Sequence, residues 1–439
     1  IYKREYGRRT LTNEFGKEAV VVGDTVVRLT GADSIIPHDG FVISGHGSAS
    51  KWIGENLKVG TKVRIDEKNC ILHSFTTISS YRYYAKVKIN EVEQILEKTK
   101  KQYKNRDDKK VKEFLKKAKK ELKQSCSSNS NSALQSAKNS ITSSQIALSY
   151  TLPYLKDELK GVWVRPVQKS ESEVEHTLDE MAQLGINTIF LETYFHGKTI
   201  FPSEVMKSYG FEGQNKNFRG YDPLSAWIRG AHKRDMKLHV WFESFYIGNN
   251  LPQEDAYNIL AIKPAWGNRN KANSESNQPV AHMSEHRGYF IDPANPEVVD
   301  FLVKLILEIC AKYDIDGVNL DYVRYPLSAK SSSSNYEASN WGYTPYAREE
   351  FKKIYGVDPI KINSNTAMWN KWDNYRQERI SRYVASVKDA IKDRGVMLST
   401  VVFPDYKPSL ETKQQNWQRW SSYGYVDALT PLILTADYN

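Results

Sequence analysis

Asp316-Gly-Val-Asn-Leu-Asp-Tyr-Val-Arg-Tyr-Pro326 reads as a short buried strand that delivers a carboxylate, Asp321, to its own carboxyl end. Side chains alternate along a strand, so Val318 and Leu320 share one face and Asn319 and Asp321 the other. Upstream, residues 297–313 place Val298, Phe301, Leu302, Leu305, Ile309 and Cys310 at helical spacing. Downstream come Tyr322, Arg324, Tyr325 and Pro326, then a Ser-rich loop. A helix feeding a buried strand that ends in an acid, aromatics and an arginine is the local plan of a (β/α) barrel, whose chemistry sits at the carboxyl ends of its strands. Taken alone, the stretch is equally consistent with an Asp321 that only caps the next turn.

The pattern around it decides between these readings. From Gly161 onward strand and helix signals alternate. Strands are predicted at 161–165, 187–192, 237–243, 316–321, 396–403 and 426–434, with helices at 172–184, 223–234, 297–313 and 369–393. Such a series predicts a parallel sheet and, at this number of units, the α/β class with a (β/α)8 TIM-type barrel. Only six strands can be counted before Asn439, so the barrel is expected to be truncated after its sixth strand. Residues 1–84 are expected to be a β-rich accessory segment, with a hairpin around Gly23-Asp24. Residues 85–158 carry narrow apolar stripes, Val92, Ile95 and Leu96 in one and Val111, Leu115, Ala118 and Leu122 in another, and are expected to form a helical spacer or hairpin. The barrel domain is then 159–439.

Composition bounds the function. A chain of 439 residues with 40% hydrophobic residues suits one large domain and an accessory one. No apolar run is long enough for a membrane span, and the chain opens at Ile1 rather than Met, as expected for a processed or trimmed product. Absence of a secretory signal in it therefore says nothing of export. Cys70, Cys126 and Cys310 are widely spaced and odd in number, against a disulfide framework and against a zinc cluster. Neither a metal nor any other cofactor is expected. The formal charge of +10 is concentrated in the Lys-rich residues 98–123. That run suits contact with an anionic cell-wall polymer or a solvated helix face; no nucleic-acid signature accompanies it.

Applying strand alternation to each barrel strand aligns a set of polar groups. Trp163 and Arg165 share a phase, as do Phe190 and Glu192, His239, Trp241 and Glu243, and Asn319 and Asp321. Arg165, Glu192, Glu243 and Asp321 all fall at the last inward place of their strands, where barrel active sites are built. A structural ion-pair network around the barrel mouth is the plainer alternative. The loops add His196, Tyr246, Tyr322, Arg324 and Asp405, and aromatic faces beside carboxylates suit sugar rings. One rival motif is present: His282-Met-Ser-Glu-His286 fits H-x-x-E-H, an inverted zinc-protease pattern, but that chemistry needs a stable helix and the motif lies in a loop-like setting.

Gly161-Val-Trp-Val-Arg165, His196-Gly-Lys-Thr-Ile-Phe-Pro-Ser203, Tyr221-Asp-Pro-Leu224, His239-Val-Trp-Phe242, Asp316-Gly-Val-Asn-Leu-Asp-Tyr322 and Val426-Asp-Ala-Leu-Thr-Pro431, in this order, resemble the glycosyl-hydrolase-like "family 10-like" bacterial glycosidase domains. The resemblance runs from Gly161 to the end and implies a (β/α)8 barrel. It also implies hydrolysis of O-glycosidic bonds by exported or envelope-associated proteins acting on polysaccharide. Glycoside hydrolysis needs two carboxyl groups, one to protonate the leaving oxygen and one to attack or to activate water. Asp321 and Glu243 are expected to be that pair, with Glu192 and Asp405 in reserve. Arg165, Glu192, His196, Trp241, Asn319, Tyr322, Arg324 and Asp405 are expected to line the substrate. The alternative is a barrel that binds polysaccharide without cleaving it.

Overall fold

The structure, a computed structural model, describes residues 1–4, 12, 16–31, 33–103, 107–127, 129–151 and 158–433. Leu434, the last residue of the predicted sixth strand, lies outside them. The chain divides into two units, one of residues 1–158 with 183–185 and one of residues 159–182 with 186–439.

In the first unit β1 (Tyr2–Lys3), β2 (Lys17–Val22), β3 (Thr25–Thr30), β4 (Gly40–Gly45), β5 (Lys62–Asp66) and β6 (Ile71–Phe75) pair antiparallel in the order β1-β4-β2-β3-β5-β6. The hairpin between β2 and β3 turns at Gly23-Asp24, where Gly23 takes a φ of +59° that a side chain would resist. A helix the β-rich reading did not anticipate, α1 (Gly47–Asn56), buries Ile53 against Ala19, Val21, Val26 and Val63. Helices α2 (Ile78–Gln102), α3 (Lys109–Ser125) and α4 (Asn131–Ser149) follow. Their narrow stripes close on one another, with Val92, Leu96, Val111, Leu115, Ala118 and Ala147 in one cluster. The helical part thus begins at Ile78, where the Thr77 N–H bonds the Ser80 hydroxyl at 3.2 Å, and not at residue 85.

In the second unit β7 (Gly161–Val164), β8 (Thr188–Phe195), β9 (Lys198–Thr199), β10 (Lys237–Glu243), β11 (Gly317–Asp321), β12 (Met397–Val402) and β13 (Ala428–Pro431) build a parallel sheet in the order β7-β8-β10-β11-β12-β13, with β9 folded back antiparallel on β8. The connections carry α5 (Glu171–Gln183), α6 (Glu204–Ser208), α7 (Pro223–His232), α8 (Ile259–Ile262), α9 (Pro296–Lys312), α10 (Tyr336–Ser339), α11 (Pro345–Tyr355), α12 (Ala367–Ile391), α13 (Tyr406–Lys413) and α14 (Trp417–Ser422). Strand order equals chain order, as repeated βα units produce. Ile189, Leu191, Val240, Phe242, Val318, Leu320 and Leu398 point to the helix side and are fully buried with Val298, Phe301, Leu302, Leu305, Val384 and Val387. Each such side chain contributes about 1.5–3 kcal/mol by leaving water. Arg165, expected inside the first strand, lies one residue beyond it.

Asn319 shows that the sheet is curled. Its side-chain NH2 donates to Ser399 Oγ on β12 at 2.8 Å and to Thr430 Oγ1 on β13 at 3.2 Å, while its carbonyl accepts from the Trp163 indole on β7 at 3.2 Å. In a flat sheet β7 and β11, three strands apart, would stand about 14 Å from each other at a strand spacing of about 4.8 Å. One small side chain reaches both only because the polar face is concave. Six parallel strands of this sheet are present among the described residues, and β7 and β13 each have a single neighbour in it.

A bulge breaks the alternation on β8. Trp241 pairs with Glu192 but Phe242 with Tyr194, so Thr193 is the extra residue. Tyr194 is thereby turned to the helix side, stacked on Phe242 at 4.7 Å, and Phe195 is returned to the concave side.

Candidate active site

Four carboxyl ends of neighbouring strands meet at one mouth. The register sets Glu243 on β10 directly beside Asp321 on β11, and Trp241 beside both Glu192 and Asn319. Arg165 closes the group with a two-pronged pair onto Glu192, its Nη2 donating to Oε1 at 2.9 Å and its Nε to Oε2. Its guanidinium lies 4.3 Å from the Phe195 ring centre and 5.9 Å from that of Trp241. Glu192 and Glu243 are 1% and 2% exposed, so both carboxyls are withdrawn from water.

The two carboxyls of the central pair are held differently. Glu243 Oε2 accepts one hydrogen bond, from the His196 backbone N–H at 2.8 Å. Burial, with Glu192 and Asp321 as negative neighbours, holds its carboxyl well above the ordinary glutamate value, and the His196 N–H and Arg165 offset only part of this. Asp321 accepts two hydrogen bonds, Tyr322 N–H to Oδ1 at 2.6 Å and the Trp241 indole to Oδ2 at 2.9 Å. Burial raises its carboxyl too, but both donors and the nearby Arg324 guanidinium pull it back. Burial also leaves Glu192 above its usual range, even against Arg165.

Both backbone donors come from residues in the left-handed region, His196 at φ +50° and Tyr322 at φ +47°. Such conformations are costly for bulky side chains and collect where function demands them. Here each one turns an N–H back onto a carboxylate of the mouth. Neither turn has a sequence signature, because glycine is the residue that announces this geometry.

Around the pair, Tyr322 stacks on Tyr246 at 4.5 Å, and Arg324 lies 5.1 Å from the Tyr322 ring centre and 5.6 Å from that of Phe403. Arg324 is 5% exposed and its charge is met by Glu285, Nη2 to Oε1 at 2.6 Å. Glu285 also accepts from Leu327 N–H at 2.8 Å. Burial works against this carboxylate, yet Arg324 and these hydrogen bonds hold it below its ordinary value. The H-x-x-E-H stretch is therefore a turn that clamps Arg324. His282 Nε2 bonds the Leu327 carbonyl at 2.7 Å, and no helix aligns it with His286, whose φ is +57°. Among the described residues no three His, Cys, Asp or Glu side chains gather as a metal site.

Two of the expected site residues stand apart. Asn319 is fully buried below the mouth with its amide committed to β7, β12 and β13, so it pins the curl of the sheet rather than facing substrate. Asp405 is exposed at the start of α13, and among the described residues its side chain bonds none of the others. Other contributors went unnoticed in the sequence. Asp321, Tyr322 and Arg324 line a cavity of about 210 Å³ with Phe403, Gln415 and Leu432. Lys413 lies over the Phe403 ring at 4.0 Å, and burial together with Arg324 pushes its amine down to about 8. Lys413 ends α13 and Gln415 follows it, a stretch that only the fold brings to the end of β11.

Residues 158–438 match the glycosyl hydrolase-like 10 family. The glycosyl hydrolase DigH of Escherichia coli strain K12 is 31% identical over 280 residues, which cover 58% of this chain and 56% of that protein. The glycosyl hydrolase YngK of Bacillus subtilis strain 168 is 25% identical over 252 residues, covering 54% and 42%. The chain thus spans about half the length of these relatives. Among solved structures, the glycoside hydrolase domain of PgaB from Bordetella bronchiseptica overlays with a TM-score of 0.44 at 11% identity, over 62% of this chain and 73% of that one. Alpha-L-fucosidase isoenzyme 2 from Paenibacillus thiaminolyticus overlays at 0.39 and 16% identity, over 55% and 32%.

Proposed function

The chain belongs to the glycosyl hydrolase-like 10 family, and on that premise we propose that it hydrolyses O-glycosidic bonds of a polysaccharide, with Glu243 as general acid and Asp321 as nucleophile or base. The observation that carries this reading is the pairing of Glu243 with Asp321 in register at one strand level, each in an opposite hydrogen-bonding environment. Burial and two negative neighbours, against one backbone donor and Arg165, favour the proton on Glu243; two donors and Arg324 work against the burial that raises Asp321 and favour its carboxylate. Pairs of acids whose surroundings push them apart in this way are how an acid and a base coexist near neutral pH.

The steps follow from the positions. Glu243 protonates the departing glycosidic oxygen as positive charge develops on the sugar ring, while Asp321 faces the anomeric carbon or the water that attacks it. Arg165 and Glu192 form the wall beside Glu243, and the stacked Tyr322 and Tyr246 form the wall beside Asp321. Trp241, between the two, fixes Asp321 through its indole. The concave six-strand sheet is read as the first six strands of a (β/α)8 barrel, supported by the site's place at the strands' carboxyl ends. An extracellular or envelope setting suits a polymer substrate.

Leaving-group chemistry tests the acid. Glu243→Gln should lose about 10²–10⁴-fold on polysaccharide but keep most of its rate on dinitrophenyl glycosides, whose leaving group needs no proton. Equal loss on both would contradict the role given to Glu243.

A further inference from the structure

A second depression is lined in part by His196, the residue whose backbone N–H bonds Glu243. It encloses about 540 Å³ and runs from Phe195 and His196 at the end of β8 to Tyr257 in the connection after β10. That volume lies within the ~300–1,000 Å³ of a small-molecule site, enough for one or two sugar rings. His196 belongs to both places, since it lines this groove while its backbone N–H holds Glu243.

The lining has a definite chemistry. Lys198 is clamped between Glu212 at 3.1 Å and Asp255 at 2.7 Å, and Arg219 reaches the other oxygen of Glu212 at 2.8 Å. With Lys216 and Glu254 the groove holds three cations and three anions, so its charges cancel. His196 adds none, because burial and Arg165 push its imidazole down to about 4. A groove with balanced charges does not gather a charged ligand, yet its ion pairs and the exposed amides of Asn217 and Asn250 offer donors and acceptors in fixed positions. Tyr257 is 54% exposed and presents the apolar face against which the C–H side of a pyranose packs.

We infer that this groove is a subsite for uncharged sugar units of the polymer, beyond the bond that is cleaved, so that the protein grips a chain several units long and acts within it. The inference rests on the reading of the substrate as a polysaccharide. It places recognition in the β9–α7 and β10–α9 connections, away from the reacting carboxylates.

Chain-length dependence tests it. Calorimetry on the Asp321→Asn chain, shown folded by circular dichroism, would use chito-, cello- and xylo-oligosaccharides of two to six units, with oligogalacturonates as the charged series. Affinity for at least one neutral series should rise about tenfold or more between two and five units. Tyr257→Ala should abolish most of that rise, whereas Tyr423→Ala, at an exposed tyrosine outside the groove, should leave it. A rise that survives Tyr257→Ala, a rise only with oligogalacturonates, or no rise in any neutral series would overturn the subsite. Hydrolysis by the unmodified chain is read in parallel. Cleavage without length dependence contradicts the subsite and leaves the glycosidase reading; Tyr257-dependent binding without cleavage does the reverse.

Discussion

Glu243 and Asp321 differ in what donates to them, and that difference has a pH signature. As the proposed nucleophile or base, Asp321 is ionised, so activity should fall as pH drops through its pKa, which burial sets above the ordinary aspartate value. As the proposed acid, Glu243 is protonated, so activity should fall again as pH rises through its pKa, which burial sets well above the ordinary glutamate value. A bell-shaped profile is expected. Trp241→Phe removes the indole donor that favours the Asp321 carboxylate and should move the acid limb upward by up to about one pH unit. An acid limb that stays in place would show that Asp321 does not govern it. Asp292 supplies a structural counterpart. It is 1% exposed, bonded to Thr344 Oγ1 and Ala294 N–H, and burial pushes its carboxyl up to about 6. A raised folded pKa gives stability that is full below the unfolded value near 4 and lost as pH rises through about 6. Asp292→Asn should therefore gain on the unmodified chain between pH 4 and pH 7, by about 2–3 kcal/mol at most. Denaturant titrations at the two pH values measure the difference, and a gap independent of pH would contradict it.

At the level of elements, the strand register carries stereochemistry. Glu243 and Asp321 are in-register neighbours on strands spaced about 4.8 Å apart, a backbone spacing that allows the ~5–5.5 Å carboxyl separation of retaining enzymes. Retention is expected; proton NMR of the first anomer released from an aryl glycoside decides it, and inversion would contradict that expectation. The same register explains what could be read from sequence. Strand alternation placed Trp163, Glu192, Trp241, Glu243 and Asp321 on one face because each strand is half polar and half aliphatic, and that contrast survives without neighbours in view. The Thr193 bulge was invisible, since nothing in Thr188–Phe195 distinguishes an inserted residue from the next one in the alternation. Asn319 shares the phase of Asp321 and was grouped with it, yet its depth below the mouth depends on β7 and β13 curling toward it. Lys413 and Gln415 were missed for a similar reason: their approach to Phe403 and Arg324 is set by how the chain folds back at the end of α13, which no local pattern encodes.

Over the whole molecule, two units of different character share the chain. The second holds the candidate site in six parallel strands, and its match spans about half the length of the curated relatives. The first presents Lys109, Lys110, Lys112, Lys116, Lys117, Lys119, Lys120 and Lys123, all exposed, on α3. Contact of this helix with an anionic wall polymer is proposed; retention on teichoic acid should weaken as salt rises and with Lys116→Gln/Lys120→Gln, and salt-independent retention would contradict it. Hydrolysis remains the claim on which the rest depends. It is tested most directly by reducing-end release from a panel of bacterial-envelope and plant polysaccharides, comparing the chain with folded Asp321→Asn. Release by the unmodified chain that drops at least about 10²-fold in the variant is the expected result. No release from any polymer, with binding that survives the substitution, would contradict catalysis and leave a sugar-binding sheet.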